Sequence, residues 1–336
     1  MRPTRVLSYN DDDLFIQKGK ELLLVNAVDG KTQKRWQLPY ARFIDLDRRA
    51  IRLLRSGVHA LLPLKNEKVI LVLKKLICRL DLTDGSVDGL FSEFQGSRPL
   101  FICQTNAGDI YFGDYFNNPD RDTVNIYHSP DLGETYQIIY SFPPNTIRHI
   151  HGLFFDPYTD NIWVTSGDHD QESNIWKTGD NFKNLDRVVG GEQRFRAVQL
   201  IFTKDFIYYG SDTPLELNFL YRLNRRTKEV EKLQQVQGTV FYGCKVGSDL
   251  FFSTVVEPSI VNTDPHVYIW GSKDGKSWKC VKKYRKDLFP MKLFQYGQIL
   301  FPRGENKTDN LWFTPLSTRK DLTLQCMTAK GMLGDQ

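Results

Sequence analysis

The sequence predicts an all-β chain folded as a single seven-bladed β-propeller over residues 1–336, each blade a four-stranded antiparallel sheet. Three observations carry this expectation. Short β-rich runs fill the chain, a sustained 3.6-residue pattern is nearly confined to ARFIDLDRRAIRLLRSG, and strand-turn-strand units recur at a nearly constant interval.

The interval is read from seven polar turns. LLLVNAVDGKTQKRW, ICRLDLTDGSVDGLF, VNIYHSPDLGETYQII, SNIWKTGDNFKNLDRVV, FLYRLNRRTKEVEKL, VYIWGSKDGKSWKCV and LWFTPLSTRKDLTL each carry an apolar strand into a polar turn and out again. With Asp29, Asp84, Asp131, Asp180, Arg226, Asp274 and Thr318 as markers, the steps are 55, 47, 49, 46, 48 and 44 residues. A propeller blade takes about 40 to 50 residues, so each step is one blade. The first step is long and the last marker weak, which keeps six blades with a decorated start as the alternative.

Between the markers a second unit recurs, two apolar strands joined by a short polar turn: LFICQTNAGDIYFGD, GLFFDPYTDNIWVTSGD, VQLIFTKDFIYYGSD and VFYGCKVGSDLFFSTV. These read as the inner strands of consecutive blades, apolar on both faces because neighbouring blades cover them. The N-terminal RVLSY is expected to close the ring beside the last blade and so remove a sheet edge.

Composition narrows the function classes. Hydrophobic residues at 40% and charged residues at 25% of 336 exclude general disorder. Lys plus Arg number 45 against 40 acids, a net charge of +5, too mild for a general polyanion binder, and no nucleic-acid partner is expected. The longest apolar stretch, around Val69 to Cys78, is interrupted by Lys74 and Lys75. No run approaches the roughly 20 residues of a membrane span. MRPTRVLSYNDDD places three aspartates where a signal core would sit, and Cys78, Cys103, Cys244, Cys280 and Cys326 show no CxxC spacing. A cytoplasmic, reduced setting is therefore expected. The sequon at Asn306 would then go unmodified, the basic stretch RLNRRTKEVEK reads as a solvated turn, and no P-loop, GxGxxG or GxSxG occurs. Oligomeric state is left open.

SPDLGETY, Ser129 to Tyr136, resembles the Asp-box of the sialidase-like BNR propellers; SKDGKSW, Ser272 to Trp278, is a version one residue shorter, and KTGDNF is a degenerate third. The Asp-box is a structural Asx-type turn, so Asp131 and Asp274 are expected to serve the fold. The stretch SRPLFICQTNAGDIYFGDYFNNPDRDTVNIYHSPDLGETY also resembles the opening of many sialidases. That resemblance implies a sialidase-like ring, six-bladed in the alternative, with Arg98 as the first carboxylate-binding arginine and Asp120 or Asp122 as general acid/base. It further implies a tyrosine nucleophile activated by a carboxylate, for which Tyr242 or Tyr296 with Glu216 or Glu257 are the candidates. No local motif chooses among them.

In a propeller the loops leading into the innermost strands and those joining the second and third strands open on one face. From the first set come Arg98, Arg148 with His149 and His151, Arg194 with Arg196, Tyr242, and Lys292 with Tyr296. From the second come Asp114, Asp120, Arg121, Asp122, Asp168, His169, Asp170, Glu172, Asp212, Glu216, Glu257, Arg303 and Glu305. Arg98, Arg148 and Arg196 repeat at one position of three consecutive blades, and guanidinium forks pair bidentately with a sugar carboxylate. His149 and His151 share a strand face near Asp168, His169 and Asp170. Such a cluster can bind a divalent metal, supply acid/base groups, or form a hydrogen-bonded structural network. The expected function is a glycan-active propeller that binds and cleaves an acidic oligosaccharide as a hydrolase or uronate lyase, with Asp212, Glu257, Tyr296 and Arg303 among its binding residues. No cofactor is required beyond a divalent metal at His149, His151, Asp168 and Asp170, should one bind. The alternative is a non-catalytic propeller that holds an acidic glycan or a partner protein on the same face.

Overall fold

The computed structural model describes residues 2–257 and 259–334, and they form a seven-bladed β-propeller. The first blade comprises β1 (Thr4–Asn10), β2 (Asp13–Lys18), β3 (Glu21–Asn26) and β4 (Thr32–Gln37); the second β5 (Ala60–Pro63), β6 (Lys68–Leu73), β7 (Leu76–Asp81) and β8 (Val87–Phe91). The third comprises β9 (Ile102–Gln104), β10 (Ile110–Gly113), β11 (Val124–Ser129) and β12 (Gln137–Phe142). The fourth holds β13 (His149–Asp156), β14 (Asn161–Gly167), β15 (Asn174–Thr178) and β16 (Asp186–Gly190). The fifth holds β17 (Ala197–Phe202), β18 (Phe206–Ser211), β19 (Asn218–Asn224) and β20 (Val230–Val236). The sixth holds β21 (Val240–Val246), β22 (Asp249–Thr254), β23 (His266–Ser272) and β24 (Lys279–Arg285), and the seventh β25 (Gln298–Leu300), β26 (Asn310–Leu316) and β27 (Gln325–Thr328).

Every marker turn from Asp29 to Asp274 joins the third and fourth strands of its blade. Thr318 differs, because the last blade has three strands and its turn joins the second to the third. Burial follows position in the blade. β14 and β18 are almost wholly buried, whereas the outer strands β4 and β24 are mostly exposed. The core is accordingly a ring of apolar clusters between neighbouring sheets, such as Trp163 and Ile175 against Tyr209 and Leu223.

Ring closure departs from the expectation for RVLSY. That segment is the innermost strand of the first blade, not a strand added to the last. It meets the seventh blade by a parallel bridge in which the Arg303 amide donates to Leu7 O at 3.0 Å and the Tyr9 amide to Arg303 O at 2.7 Å. Trp312 completes the seam, donating from Nε1 to Ala27 O at 2.7 Å and packing with Val6, Tyr9 and Ile16. With no strand exchanged, closure rests on this bridge, on apolar burial and on further hydrogen bonds such as the Thr4 amide to Leu322 O and the Val6 amide to the Thr314 hydroxyl.

Adjacent strands run antiparallel, so the loops leading into the inner strands and the loops joining second to third strands share one end of the ring, the upper face. The marker turns of the first six blades lie at the lower end. There Asp131 accepts from the amides of Glu134 and Thr135 at 3.0 and 2.9 Å and from the Thr135 hydroxyl at 2.6 Å, while Tyr136 packs on Phe91. Asp274 repeats the arrangement with Lys276 and Ser277, and Asp180 with Asn184. Both serve backbone amides, as an Asx-type turn requires.

The one stretch with helical periodicity forms a 3-10 turn (Phe43–Leu46) and then α1 (Arg48–Leu54), whose start is capped by Asp47 accepting from the Arg49 and Ala50 amides. Arg52, 1% exposed, pairs with Asp287 and Asp321 and donates to Phe294 O, fastening α1 to α2 (Met291–Phe294) on the upper face. Among the described residues no helix is long and apolar enough to cross a membrane, and the five cysteines are unbridged.

Candidate functional site

The inner strand of the fourth blade opens with His149-Ile150-His151, and its register against β14 shifts between Ile150 and Gly152. The resulting bulge re-aims the strand. Both imidazoles turn toward Asp168, the residue following β14, with His149 Nε2 3.4 Å and His151 Nε2 3.3 Å from Asp168 Oδ1. The two Nε2 atoms are 3.1 Å apart. Each ring is anchored through its other nitrogen, His149 Nδ1 to Phe116 O at 3.0 Å and His151 Nδ1 to Ala197 O at 3.2 Å. A carbonyl only accepts, so each Nδ1 carries the hydrogen and each Nε2 of a neutral ring presents a lone pair. Tyr115 covers the His149 ring at 4.5 Å between centroids. Gly167 makes the approach feasible, since a Cβ there would stand 2.8 Å from His151 Cε1.

Asp168 is also held by two guanidinium groups. Arg148 Nη1 lies 3.2 Å from Oδ2 and Arg196 Nη2 lies 3.0 Å from Oδ1. Burial works against its ionisation, but the Arg196 guanidinium at Oδ1 holds the carboxyl well below its ordinary range. Burial lowers the His151 imidazole to about 4, so the ring is neutral near pH 7. Arg196 reaches on to Asp212, Nε to Oδ2 at 3.2 Å. Burial pushes Asp212 up to about 8 despite Arg196, and its Oδ1 is buried without a hydrogen-bond partner. Burial likewise raises Glu257, which accepts from the Thr239 hydroxyl at 3.3 Å. The wall formed by blades four to six thus sets one firmly ionised carboxylate beside Asp212, protonated near pH 7, and Glu257, whose carboxyl burial shifts upward.

The other side of the channel is cationic. Arg5, second residue of β1, is 8% exposed and donates from Nη1 to Val58 O. Arg303, at the end of the seventh blade's inner strand, donates from Nη2 to Leu100 O, lies 4.5 Å from the Phe101 ring centroid, and has a buried Nη1 with no partner. Arg98 precedes β9 and is partly exposed. Among the described residues none of the three has an ion pair. Burial and the charge of Arg98 bring Arg5 and Arg303 down to about 10, burial and Arg55 lower Arg98, and Tyr242 is the phenol whose charge would relieve all three. Burial together with Arg98 and Arg5 also holds His59 neutral.

The sequence-derived candidates therefore divide. Arg148, Arg196, His149, His151, Asp168, Asp212 and Glu257 assemble as one wall, with Tyr296 near Glu257 and Asp212. Arg98, Arg303 and Tyr242 belong to the channel, but Arg303 and Glu305, expected in a second-to-third-strand loop, lie between the first and second strands of the last blade, because that blade's second strand starts only at Asn310. Arg148 and Arg196, read from sequence as forks for a ligand carboxylate, both contact Asp168 instead. Asp120 and Asp122 are exposed, and the latter's backbone closes its loop on Asn118. His169 and Asp170 are exposed at a 3-10 turn, Asp170 accepting from Gln193. Arg194 pairs with Glu192 and lies over Phe195, away from the cluster. Asp114 clamps the amides of Gln95 and Asn125, Arg121 pairs with Glu172, and Glu216 and Glu305 are exposed. Arg5, His59 and Tyr115 were missed. The signal for Arg5 was available, because it starts an inner strand as Arg148 and Arg196 do.

No family model matches the chain, and no curated protein matches it in sequence. Among solved structures it is similar to the dihydro-heme d1 dehydrogenase NirN in complex with DHE, with a TM-score of 0.54 and 12% identity over 98% of this chain and 62% of that one. The chain thus spans less than two thirds of the NirN chain. It is also similar to a putative TolB from Agrobacterium tumefaciens, with a TM-score of 0.46 and 16% identity over 65% of this chain and 78% of that one. The first likeness concerns the fold alone, and the second carries no further weight.

Proposed function

We propose that the protein cleaves an acidic, uronate-bearing glycan by β-elimination in its channel. The observation that carries this reading is the set Arg5, Arg98 and Arg303, buried or partly buried guanidinium groups from different blades with no carboxylate partner. A substrate carboxylate supplies the missing counter-charge, and guanidinium groups stay protonated at any working pH. Neutralising that carboxylate acidifies the adjacent C5–H bond. Tyr242, placed beside all three arginines, is the base assigned to take the C5 proton. The C4–O4 bond then breaks, its electrons leave with O4, a C4=C5 double bond forms, and O4 receives the proton that Asp212 holds.

Elimination is favoured over sialidase-type hydrolysis because the parts for the latter are dispersed. Arg148 and Arg196 are engaged by Asp168, and Asp120 and Asp122 stand in solvent. The test is incubation with a panel of uronate oligosaccharides, read by ultraviolet absorbance of the unsaturated product and by mass spectrometry. The expected products together have the mass of the substrate. Products heavier by one water, or no cleavage of any uronate, would overturn the reading.

A second reading rests on a separate observation. The upper-face loops expose Leu215, Ile260, Leu288 and Leu293, with Ile260 at 86% and Leu288 at 96%. Apolar side chains so placed suit a protein partner docking over the channel. Retention of an acidic glycan without product formation would favour it.

A further inference from the structure

We propose that His149, His151 and Asp168 form a binding site for one divalent transition-metal ion, for which zinc is the first probe. The inference is independent of the elimination chemistry, because it concerns binding of the ion alone. Three acceptor atoms converge: the Nε2 atoms 3.1 Å apart, and Asp168 Oδ1 at 3.4 and 3.3 Å from them. With the Nδ1 hydrogens committed to Phe116 O and Ala197 O, the Nε2 lone pairs and the carboxylate oxygen face one another. A cation at their centre satisfies all three. Four-coordinate zinc with bonds of about 2.0 to 2.1 Å sets its ligand atoms about 3.3 Å apart, which is the spacing observed.

The surroundings match as well. Metal-bound histidines characteristically donate their second ring hydrogen to a backbone carbonyl, which fixes tautomer and ring orientation, and both do so here. The carboxylate is braced by Arg148 at Oδ2 and Arg196 at Oδ1. A carboxylate has about four lone-pair sites, so these donors leave room on Oδ1 for the ion. Two histidines and one carboxylate give three protein ligands, the number that leaves a coordination position for water or substrate. His169 and Asp170, grouped with this cluster from sequence, are exposed and lie outside the ligand set.

The experiment is equilibrium binding on full-length protein stripped with a chelator and dialysed, with zinc alone as the probe and total metal measured after gel filtration. Cobalt in place of zinc adds the visible absorption bands that report a low-coordinate nitrogen and oxygen site. One equivalent per chain is expected with micromolar or tighter affinity, lost at least tenfold in His149→Gln and in Asp168→Asn and retained in His169→Gln. Circular dichroism identifies any variant that does not fold. Should both ligand variants fail it, lost zinc binding after carbethoxylation of the wild-type histidines, prevented by prior zinc, serves instead. No binding to the wild type, or binding unchanged in folded His149→Gln and Asp168→Asn, would overturn the proposal.

Discussion

His149 Nε2 and His151 Nε2 face each other at 3.1 Å while both rings give their Nδ1 hydrogens to backbone carbonyls. The pair is held in this posture by lack of space as much as by hydrogen bonds, because Gly167 packs against the His151 ring. In Gly167→Ala the new Cβ would lie 2.8 Å from His151 Cε1 and 3.2 Å from Arg196 Cγ. Overpacking of this kind costs about 1 to 3 kcal/mol. The expected outcome is that loss by chemical denaturation, together with weaker zinc binding. Unchanged stability and unchanged metal affinity would show that the contact is slack.

Arg303 should trade stability for binding. Its charge is desolvated without a counter-ion, so Arg303→Met is expected to stabilise the apo protein by about 1 kcal/mol, offset in part by the lost bond to Leu100 O. Affinity for a uronate oligosaccharide should fall by roughly ten- to a hundredfold, the effect of one charge-assisted hydrogen bond of about 1.5 to 3 kcal/mol. Thermal melts and calorimetry measure the two halves. A variant that loses stability and keeps affinity would contradict the assignment.

Asp212 gives a pH signature. Its carboxyl keeps its proton in the fold up to about pH 8, and in the unfolded chain it ionises above about pH 4. Between those values the unfolded state binds fewer protons, so this group makes stability fall as pH rises, at most about 1.4 kcal/mol per pH unit. Asp212→Asn removes the dependence. The stability difference between variant and wild type should widen from pH 4 to pH 8 and then level off, as followed by urea melts. Parallel profiles would mean that Asp212 is ionised in the fold. If Asp212 is the proton donor, Asp212→Asn also lowers turnover by about 10²- to 10⁴-fold.

Asp131 and Asp120 separate turn from site. Asp131→Ala removes the acceptor for two amides and the Thr135 hydroxyl, and should cost about 1 to 3 kcal/mol without changing glycan affinity. Asp120→Asn, at an exposed loop position, should change stability by less than about 0.5 kcal/mol and leave turnover intact. Loss of turnover in Asp120→Asn would restore it to the acid role its sequence context implied.

Much of the fold was legible because blade architecture is written locally. The turns at Asp131 and Asp274 carry their own hydrogen-bonding residues, and buried β14 reads as apolar beside the alternating outer strands. The last blade was less legible, since Thr318 follows a second strand and the blade lacks a fourth. The site was legible as a list of residues at inner-strand starts and upper loops, but not as pairings. Asp168 lies between Arg148 and Arg196 only once two blades are packed, and no spacing in the chain reveals that it engages both. Conversely, that Arg98 and Arg303 have no carboxylate partner among the described residues is a property of the folded channel.

The most direct measurement is calorimetric titration of the wild type and Arg98→Met with a uronate oligosaccharide and its carboxyl-reduced counterpart, at two salt concentrations. Saturable wild-type binding, weakened by salt, by Arg98→Met and by reduction of the carboxyl, is the expected result. Equal binding of both sugars, or equal binding by both proteins, would contradict an anion held by the unpaired guanidinium groups of the channel.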